Sequence, residues 1–199
     1  MIYIVLSVIG FGFLFLFEVV SINNLPAFKP VIFLISNGLL IPSVILMALS
    51  PNKVIFPVWT FCLGWILLPP AVFLKIYSLL IGLPFRKTYI SKEVSHTLIT
   101  TGIYSLVRYP WLGSFLLMLL ALILVSGSRL LMIATPILIG MNLILAILQD
   151  RFFYIRMFTG YAAYRRQTPM LIPTRHSFTV FMRSIRSEMR TFNIGRNKQ

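Results

Sequence analysis

Long apolar segments separated by short polar ones dominate the chain. A transmembrane helix needs about 20 mostly apolar residues to cross roughly 30 Å of hydrocarbon, and five segments meet or approach that length. We therefore predict an all-α integral membrane protein with about five transmembrane helices. The predicted spans are Ile2–Val20, Val31–Leu49, Val54–Leu83, Trp111–Val125 and Leu130–Leu148.

The third apolar segment is the longest and contains the pair Pro69-Pro70. Each proline removes a backbone donor, so the pair predicts a break or a kink. Because a break would leave two halves too short to span, we predict one long, kinked helix. Its Lys75 side chain is expected to extend toward the membrane interface.

The last two apolar segments are joined by the short turn Ser126–Arg129, which predicts an antiparallel helical hairpin. In such a hairpin the start of the first helix and the end of the second are neighbours in space. Polar residues flank both of these ends, with Arg108 and Tyr109 before the fourth span and Gln149 and Asp150 after the fifth. We therefore expect the two polar clusters to face one pocket.

Composition supports the membrane class and limits the partners. Of the 199 residues, 58% are hydrophobic and 11% are charged, and the mean hydropathy is +0.91, which argues against an ordinary soluble domain. The net charge of +14 would suggest nucleic-acid binding in a soluble protein. Here ten of the basic residues follow Leu148, where anionic lipid headgroups explain them. We predict the lipid bilayer as a partner, and no nucleic acid.

The distribution of lysine and arginine also predicts the orientation. The segment Pro84–Pro110 and the C-terminal tail carry most of the basic residues, so both are expected on the cytoplasmic side. The tail alternates an apolar helical face with arginines, which predicts a basic helix lying on the membrane surface; a partly disordered basic tail is the alternative. The apolar face comprises Phe178, Phe181, Met182, Ile185, Met189 and Phe192.

Three regions follow from these patterns. Residues 1–83 form the N-terminal transmembrane helices, residues 84–173 form a core with the hairpin and its pocket, and residues 174–199 form the basic tail. The single cysteine, Cys62, excludes a disulfide or a clustered thiolate metal site within one chain. No metal site is predicted.

Two ordered stretches in the core carry a family resemblance. "HTLITTGIYSLVRYP" before the hairpin and "QDRFFYIRMFTGYAAYRRQTPMLIP" after it resemble membrane methyltransferases related to isoprenylcysteine carboxyl methyltransferase and phospholipid methyltransferases. The resemblance covers about Val94–Pro173. The residues that fit the family pattern are His96, Leu98, Gly102, Tyr104, Arg108, Pro110, Tyr161, Tyr164 and Pro173.

The chain departs from that pattern at three places. The family's Arg-His-Pro histidine is Tyr109 here, and its Glu-Glu pair is Gln149-Asp150. Its Phe-Gly pair falls on Met157-Phe158. One carboxylate has thus become an amide, and the other is one methylene shorter.

The resemblance implies S-adenosylmethionine as cofactor and a lipidic or small-molecule methyl acceptor. Arg108 is expected to bind the cofactor's carboxylate, with Asp150 and Gln149 near its ammonium group. His96 or Tyr109 is expected to hydrogen-bond the cofactor or the substrate. The implied catalytic residues are Arg108, Tyr109 and Asp150, and the implied cofactor-binding residues are His96, Gly102, Tyr104, Arg108, Gln149, Asp150 and Tyr161.

Other interpretations of these residues remain open. Arg108 beside Tyr109 and Trp111 is also typical of a membrane-interface anchor, and Asp150 with Arg151 is also typical of a solvated ion pair. Glu18, near the end of the first span, either extends to the interface or has a function. At the level of function, the alternatives are a non-catalytic scaffold or lipid-binding protein of the same fold, and a membrane reductase with a nicotinamide cofactor.

Overall fold

The computed structural model describes residues 1–23, 25, 27–78 and 100–184, and in these ranges the chain is helical, without a β-strand. Three long helices precede the hairpin, and short helices flank it on both sides. The elements are α1 (Ile2–Ile22), α2 (Lys29–Ala48), α3 (Val58–Ile76), α4 (Ile103–Leu106), α5 (Pro110–Ser126), α6 (Arg129–Leu148), a π-helical turn (Gln149–Phe153), α7 (Tyr154–Met157) and α8 (Tyr161–Gln167). Residues 175–184, here called the tail helix, are also helical.

Four helical segments are long and apolar enough to cross a membrane: α1, α2, α3 and the continuous stretch Arg129–Arg156. Their outer faces expose large apolar side chains such as Leu34, Ile66 and Phe73, as expected where lipid replaces water. The predicted all-α membrane class is therefore confirmed for the described residues. The helix predicted as the fourth span, α5, is apolar but has only 17 residues.

The third helix begins later than predicted. It begins at Val58 instead of Val54, because the preceding backbone is hydrogen-bonded elsewhere: Val54 N donates to Gly127 O at 2.7 Å. As predicted, it is one helix, which runs without interruption through Pro69 and Pro70 to Ile76. The end of the predicted span, residues 79–83, lies outside the described part of the chain.

Lys75, near the end of α3, contacts the start of α5, and its predicted extension toward the membrane interface stays a prediction. Its Nζ donates to the carbonyl oxygen of Trp111 at 3.4 Å and lies 5.3 Å and 5.4 Å from the ring centroids of Trp111 and Phe115. A cation over aromatic rings is attracted by their π-electrons. Lys75 therefore binds α3 to the start of α5.

The predicted hairpin of α5 and α6 is present. Its turn is formed by Gly127 in the left-handed conformation, with φ of 61°. Ser128 then caps α6 by accepting a hydrogen bond from Leu131 N at 3.2 Å, as N-cap serines do. The turn thus ends one helix and begins the next within a few residues.

The hairpin is packed against the N-terminal helices. Helix α3 lies along α5, α1 lies along α2, and both α1 and α2 contact α6. At Gly64 the approach of α3 to α5 is so close that an added Cβ would lie 2.8 Å from Val125 Cγ2. Buried side chains from four helices fill the interior, among them Phe11, Met47, Leu119, Leu131 and Leu138. This packing fixes the open end of the hairpin, where the polar clusters lie.

The tail is helical over residues 175–184, as predicted, and its position on the membrane surface stays a prediction. Phe178 and Met182 are exposed on it, and its Ser184 Oγ accepts a hydrogen bond from Gly102 N at 3.2 Å. The apolar residues Ile185, Met189 and Phe192 lie outside the described range. Within that range the tail helix contacts the segment that begins α4.

Candidate functional site

Arg108 lies in the short extended stretch between α4 and α5, and its backbone is held firmly. Arg108 N donates to Pro169 O at 2.9 Å, and Tyr109 N donates to Met170 O at 3.1 Å. These bonds pair the stretch before the hairpin with the stretch after α8. The two sequence blocks that carry the family resemblance are therefore joined along their backbones.

Asp150 lies in the π-helical turn that follows α6, and its carboxylate contacts three side chains from two segments, the stretch before α5 and α8. Oδ1 accepts from Arg108 Nη1 and from the Tyr161 hydroxyl at 2.6 Å. Oδ2 forms an ion pair with Arg165 Nε at 3.0 Å. The prediction that Arg108 and Asp150 meet across the hairpin is confirmed.

This ion pair is buried. The Arg108 and Asp150 side chains are 9% and 7% exposed, whereas Arg165 is 37% exposed. Arg151 is exposed, and among the described residues Asp150 pairs with Arg108 and Arg165 instead of with Arg151. The arrangement is therefore neither a solvated Asp150–Arg151 pair nor a free interfacial anchor at Arg108.

The side chains around Asp150 carry an excess of positive charge. We call this group the Asp150 cluster, and it comprises Arg108, Asp150, Tyr161 and Arg165. Two guanidinium groups face one carboxylate. Arg108 Nε is buried and has no hydrogen-bond partner among the described residues. Since buried donors are normally satisfied, this nitrogen is available to an acceptor such as a ligand carboxylate.

Three tyrosine rings, including that of Tyr161 in the Asp150 cluster, pack against one another. Tyr109 stacks on Tyr154 with ring centroids 6.1 Å apart, and its hydroxyl lies 3.3 Å from that of Tyr161. Burial is the main cause that raises the pKa of Tyr109 far above its usual range. Burial, followed by the hydrogen bond to Asp150, raises the pKa of Tyr161 to about 12. Both hydroxyls therefore stay protonated at neutral pH.

Tyr109 lies in the interior of the protein. Its side chain is fully buried, with 0% exposed, and its hydroxyl faces Tyr161. A buried phenol that keeps its proton cannot act as a general base at neutral pH. Its predicted hydrogen bond to the cofactor or the substrate stays a prediction.

Gly102 and Tyr104 were predicted to bind the cofactor, and both have contacts within the protein. Gly102 has φ of 59° and is the N-cap of α4. The Tyr104 hydroxyl donates to Ser78 O at 2.7 Å, and the Tyr164 hydroxyl donates to Tyr104 O at 2.6 Å. Burial also raises the pKa of Tyr164. These residues connect α4 to α8 and to the end of α3.

A cavity of about 280 Å³ opens beside this framework, between α4, α8 and the tail helix. Tyr164 forms part of its wall, and the ring of Tyr164 contacts that of Tyr161 with centroids 6.0 Å apart. The cavity therefore adjoins the Asp150 cluster. Its remaining lining is largely polar: Thr100, Ser105, Gly160, Gln167, Thr168, His176, Ser177 and Val180.

Gln149 binds a different partner from Asp150. Its Nε2 donates to Glu18 Oε1 at 2.6 Å, and its Oε1 is buried without a partner among the described residues. Glu18 is 7% exposed, so it does not extend to the interface. The amide nitrogen of Gln149 therefore joins the π-helical turn to α1, and the predicted role of Gln149 near an ammonium group stays a prediction.

Sequence reasoning missed Arg165 and His176. Arg165 lies four residues after Tyr161 in α8, and residues at this spacing share a helix face, so its contact with Asp150 could have been inferred once Tyr161 was chosen. His176 lies in a stretch assigned to the tail, and only the tertiary structure brings it to the cavity.

The predicted role of His96 remains a prediction, because this residue lies outside the described part of the chain. Comparison of the sequence and the structure with protein-family models, curated proteins and solved structures finds no match. Proposals about function therefore depend on the geometry of the Asp150 cluster and on the resemblance of the two sequence blocks.

Proposed function

We propose that this protein transfers a methyl group from S-adenosylmethionine to a lipidic or small-molecule acceptor at the membrane. The observation that carries the proposal is the buried contact of Arg108 with Asp150, which are 42 residues apart. These two residues stand at positions that the family resemblance assigns to the cofactor. A membrane anchor or a solvated pair would not need this burial.

The residues of the cluster fit the charged end of the cofactor. Its methionine part carries a carboxylate and an ammonium group. Arg108 Nε, which has no partner in the described structure, and the half-exposed Arg165 suit the carboxylate. Asp150 and the free Oε1 of Gln149 suit the ammonium group. The adjoining polar cavity offers hydroxyl and imidazole groups to the rest of the molecule.

The cofactor supplies a methyl group already activated by its sulfonium, so the chain needs to align the reactants and exclude water. Arg108 and Asp150 bind and orient the charged end. Tyr161 holds Asp150 through its hydroxyl, and Tyr109 supports Tyr161. Because these tyrosines keep their protons and cannot act as bases, we favour an acceptor whose nucleophilic atom needs no deprotonation.

The proposal also includes an orientation of the protein in the membrane. We place the open end of the hairpin and the tail helix at the cytoplasmic face, following the basic residues of the tail. The cofactor then enters from the cytosol, and a lipidic acceptor enters laterally from the bilayer. In this arrangement α5 also crosses the membrane, as the shorter fourth span of five.

A second candidate is a non-catalytic scaffold or lipid-binding protein with the same fold. It is favoured by the contacts of Asp150, whose Oδ1 already accepts from Arg108 and Tyr161 and whose Oδ2 is ion-paired with Arg165. Such a cluster is satisfied without a ligand at the carboxylate. Under this proposal the Asp150 cluster holds the hairpin to α8 and binds no cofactor.

Calorimetric titration distinguishes the two functions. S-adenosylmethionine and S-adenosylhomocysteine are titrated into detergent-solubilised wild type, Arg108→Ala, Asp150→Asn and Arg151→Gln. Arg151 is an exposed arginine next to Asp150, so its variant is the matched control. We expect saturable binding by the wild type and the control, and a loss of at least about tenfold in the other two.

Thermal unfolding of each variant ensures that a loss of binding is measured on folded protein. If folded wild type binds neither ligand, the methyltransferase proposal is wrong and the scaffold is favoured. If binding is present but Arg108→Ala and Arg151→Gln weaken it equally, the cofactor does not occupy the Asp150 cluster.

A further inference from the structure

Glu18 connects the first helix of the chain to the candidate site. Together with Asp150 it is one of two acidic residues in the part of the chain that the structure describes. Its carboxylate accepts a hydrogen bond at 2.6 Å from Gln149, the immediate neighbour of Asp150 in the π-helical turn. A single side-chain bond thus links α1 to the turn that carries Asp150.

The carboxylate determines which way the amide of Gln149 faces. Glu18 Oε1 is the acceptor in this bond, and the only donor atom of an amide side chain is its nitrogen, so the amide presents Nε2 to Glu18. The Oε1 of Gln149 then faces elsewhere, and it is buried without a hydrogen bond to any described residue. An acceptor in this situation normally binds a donor from water or a ligand.

Glu18 is not a carboxylate left at the membrane surface. It is 7% exposed, and Lys29 at the start of α2 is 5% exposed and attracts it electrostatically. Its carboxyl group therefore has its partners within the protein, namely the amide of Gln149 and the positive charge of Lys29. The position and partners of Glu18 are those of a residue that orients another side chain.

We propose that Glu18 is a positioning residue of the candidate site: it fixes the amide of Gln149 so that Oε1 is presented to an ammonium group of a bound ligand. The ligand named here rests on the proposed function, whereas the orientation of Gln149 does not. The resemblance places an acidic residue at the position of Gln149, and in this chain Glu18 of α1 holds a carboxyl group at hydrogen-bond distance from that position.

This inference changes what is expected of a glutamate at position 149. Because Glu18 already lies at hydrogen-bond distance, a second carboxylate would face the first, and two carboxylates so close do not both ionise readily. Gln149→Glu alone should therefore destabilise the protein and weaken ligand binding. It should restore the family's acidic pair only when Glu18 is changed to glutamine in the same protein.

A double-mutant cycle tests this exchange with wild type, Glu18→Gln, Gln149→Glu and the double variant. The ligand-free proteins are compared by thermal unfolding in detergent, and all four are titrated with S-adenosylmethionine. We expect Gln149→Glu to unfold at a lower temperature and to bind at least about tenfold more weakly. The double variant should recover both properties, with affinity within about threefold of the wild type or tighter.

Asn142 provides the matched control. It is a buried amide on α6, the helix that directly precedes Gln149, and like Gln149 it has a carbonyl oxygen without a partner among the described residues. Asn142→Asp also introduces a carboxylate into the interior. We expect that adding Glu18→Gln does not raise the unfolding temperature of the Asn142→Asp variant, because Glu18 binds Gln149.

The outcomes separate this inference from the proposed function. Additive effects of Glu18→Gln and Gln149→Glu on unfolding would overturn the positioning role, whether or not the cofactor binds. Rescue of stability without any change of affinity across the cycle would show that Glu18 is only structural, which also overturns it. If the wild type binds no cofactor, the proposed function fails, and the unfolding cycle still decides whether Glu18 orients Gln149.

Discussion

Tyr161 donates a hydrogen bond at 2.6 Å to the same oxygen of Asp150 that accepts from Arg108. The two donors come from α8 and from the stretch before α5, so the shared oxygen joins both sides of the hairpin's open end. The second oxygen is held by Arg165 at 3.0 Å. Asp150 is thus the point at which three separate segments meet.

Tyr161→Phe should destabilise the protein and weaken ligand binding. The change removes a hydrogen bond to a charged acceptor, which contributes about 1.5–3 kcal/mol, and leaves the ring packing intact. Thermal unfolding in detergent measures the first effect and cofactor titration the second. Tyr77→Phe is the control, because it removes a hydroxyl from a tyrosine outside the Asp150 cluster. Equal unfolding temperatures for Tyr161→Phe and wild type would contradict the role of this bond.

Asp150→Ala should destabilise the protein more than replacement of both residues of the Arg108–Asp150 ion pair. Removing one partner leaves Arg108 as a buried, uncompensated charge, which costs about 3–5 kcal/mol. The double variant Arg108→Met with Asp150→Leu removes both charges and should recover part of that loss. Thermal unfolding of the two variants makes the comparison. A double variant less stable than Asp150→Ala would show that the pair is not buried as described.

Stability should fall at alkaline pH as the buried tyrosines lose their protons. The pKa of Tyr161 is raised from 10.0 to about 12 by burial and by Asp150, so the folded protein holds this proton more tightly than the unfolded chain. The resulting stabilisation is complete below pH 10 and is lost as the pH rises toward about 12. Thermal unfolding across this range, with Tyr161→Phe as reference, should show a smaller decline in the variant. Phenolate absorbance from Tyr161 near pH 10 in folded protein would contradict this prediction.

Gly127→Ala should destabilise the hairpin turn. Gly127 has φ of 61°, and an added Cβ would lie 2.5 Å from Val54 O. The left-handed conformation alone costs an alanine about 1–2 kcal/mol, and the contact adds to this. Gly140→Ala on α6 is the control, because no atom lies within 4 Å of its added Cβ and alanine favours the helix. Unfolding temperatures should fall for the first variant and stay equal or rise for the second.

Much of the architecture could be predicted from the sequence, because it depends on local patterns. Apolar length predicted α1, α2 and α6 to within a few residues, and the turn at Gly127 predicted the hairpin. The same reasoning placed Arg108 opposite Asp150, since an antiparallel hairpin brings its ends together. It failed at the start of α3, where Val54 is hydrogen-bonded to the hairpin turn, a contact distant in sequence.

The sequence by itself determined that this chain is an all-α membrane protein and that polar residues gather at one end of its terminal hairpin. Only the tertiary structure decided how those residues are paired. Asp150 and Gln149 are neighbours in the π-helical turn, but Asp150 binds Arg108 and Gln149 binds Glu18. Adjacent residues share a sequence context, but which helix each contacts depends on how α1, α6 and α8 pack, and no local pattern encodes that packing.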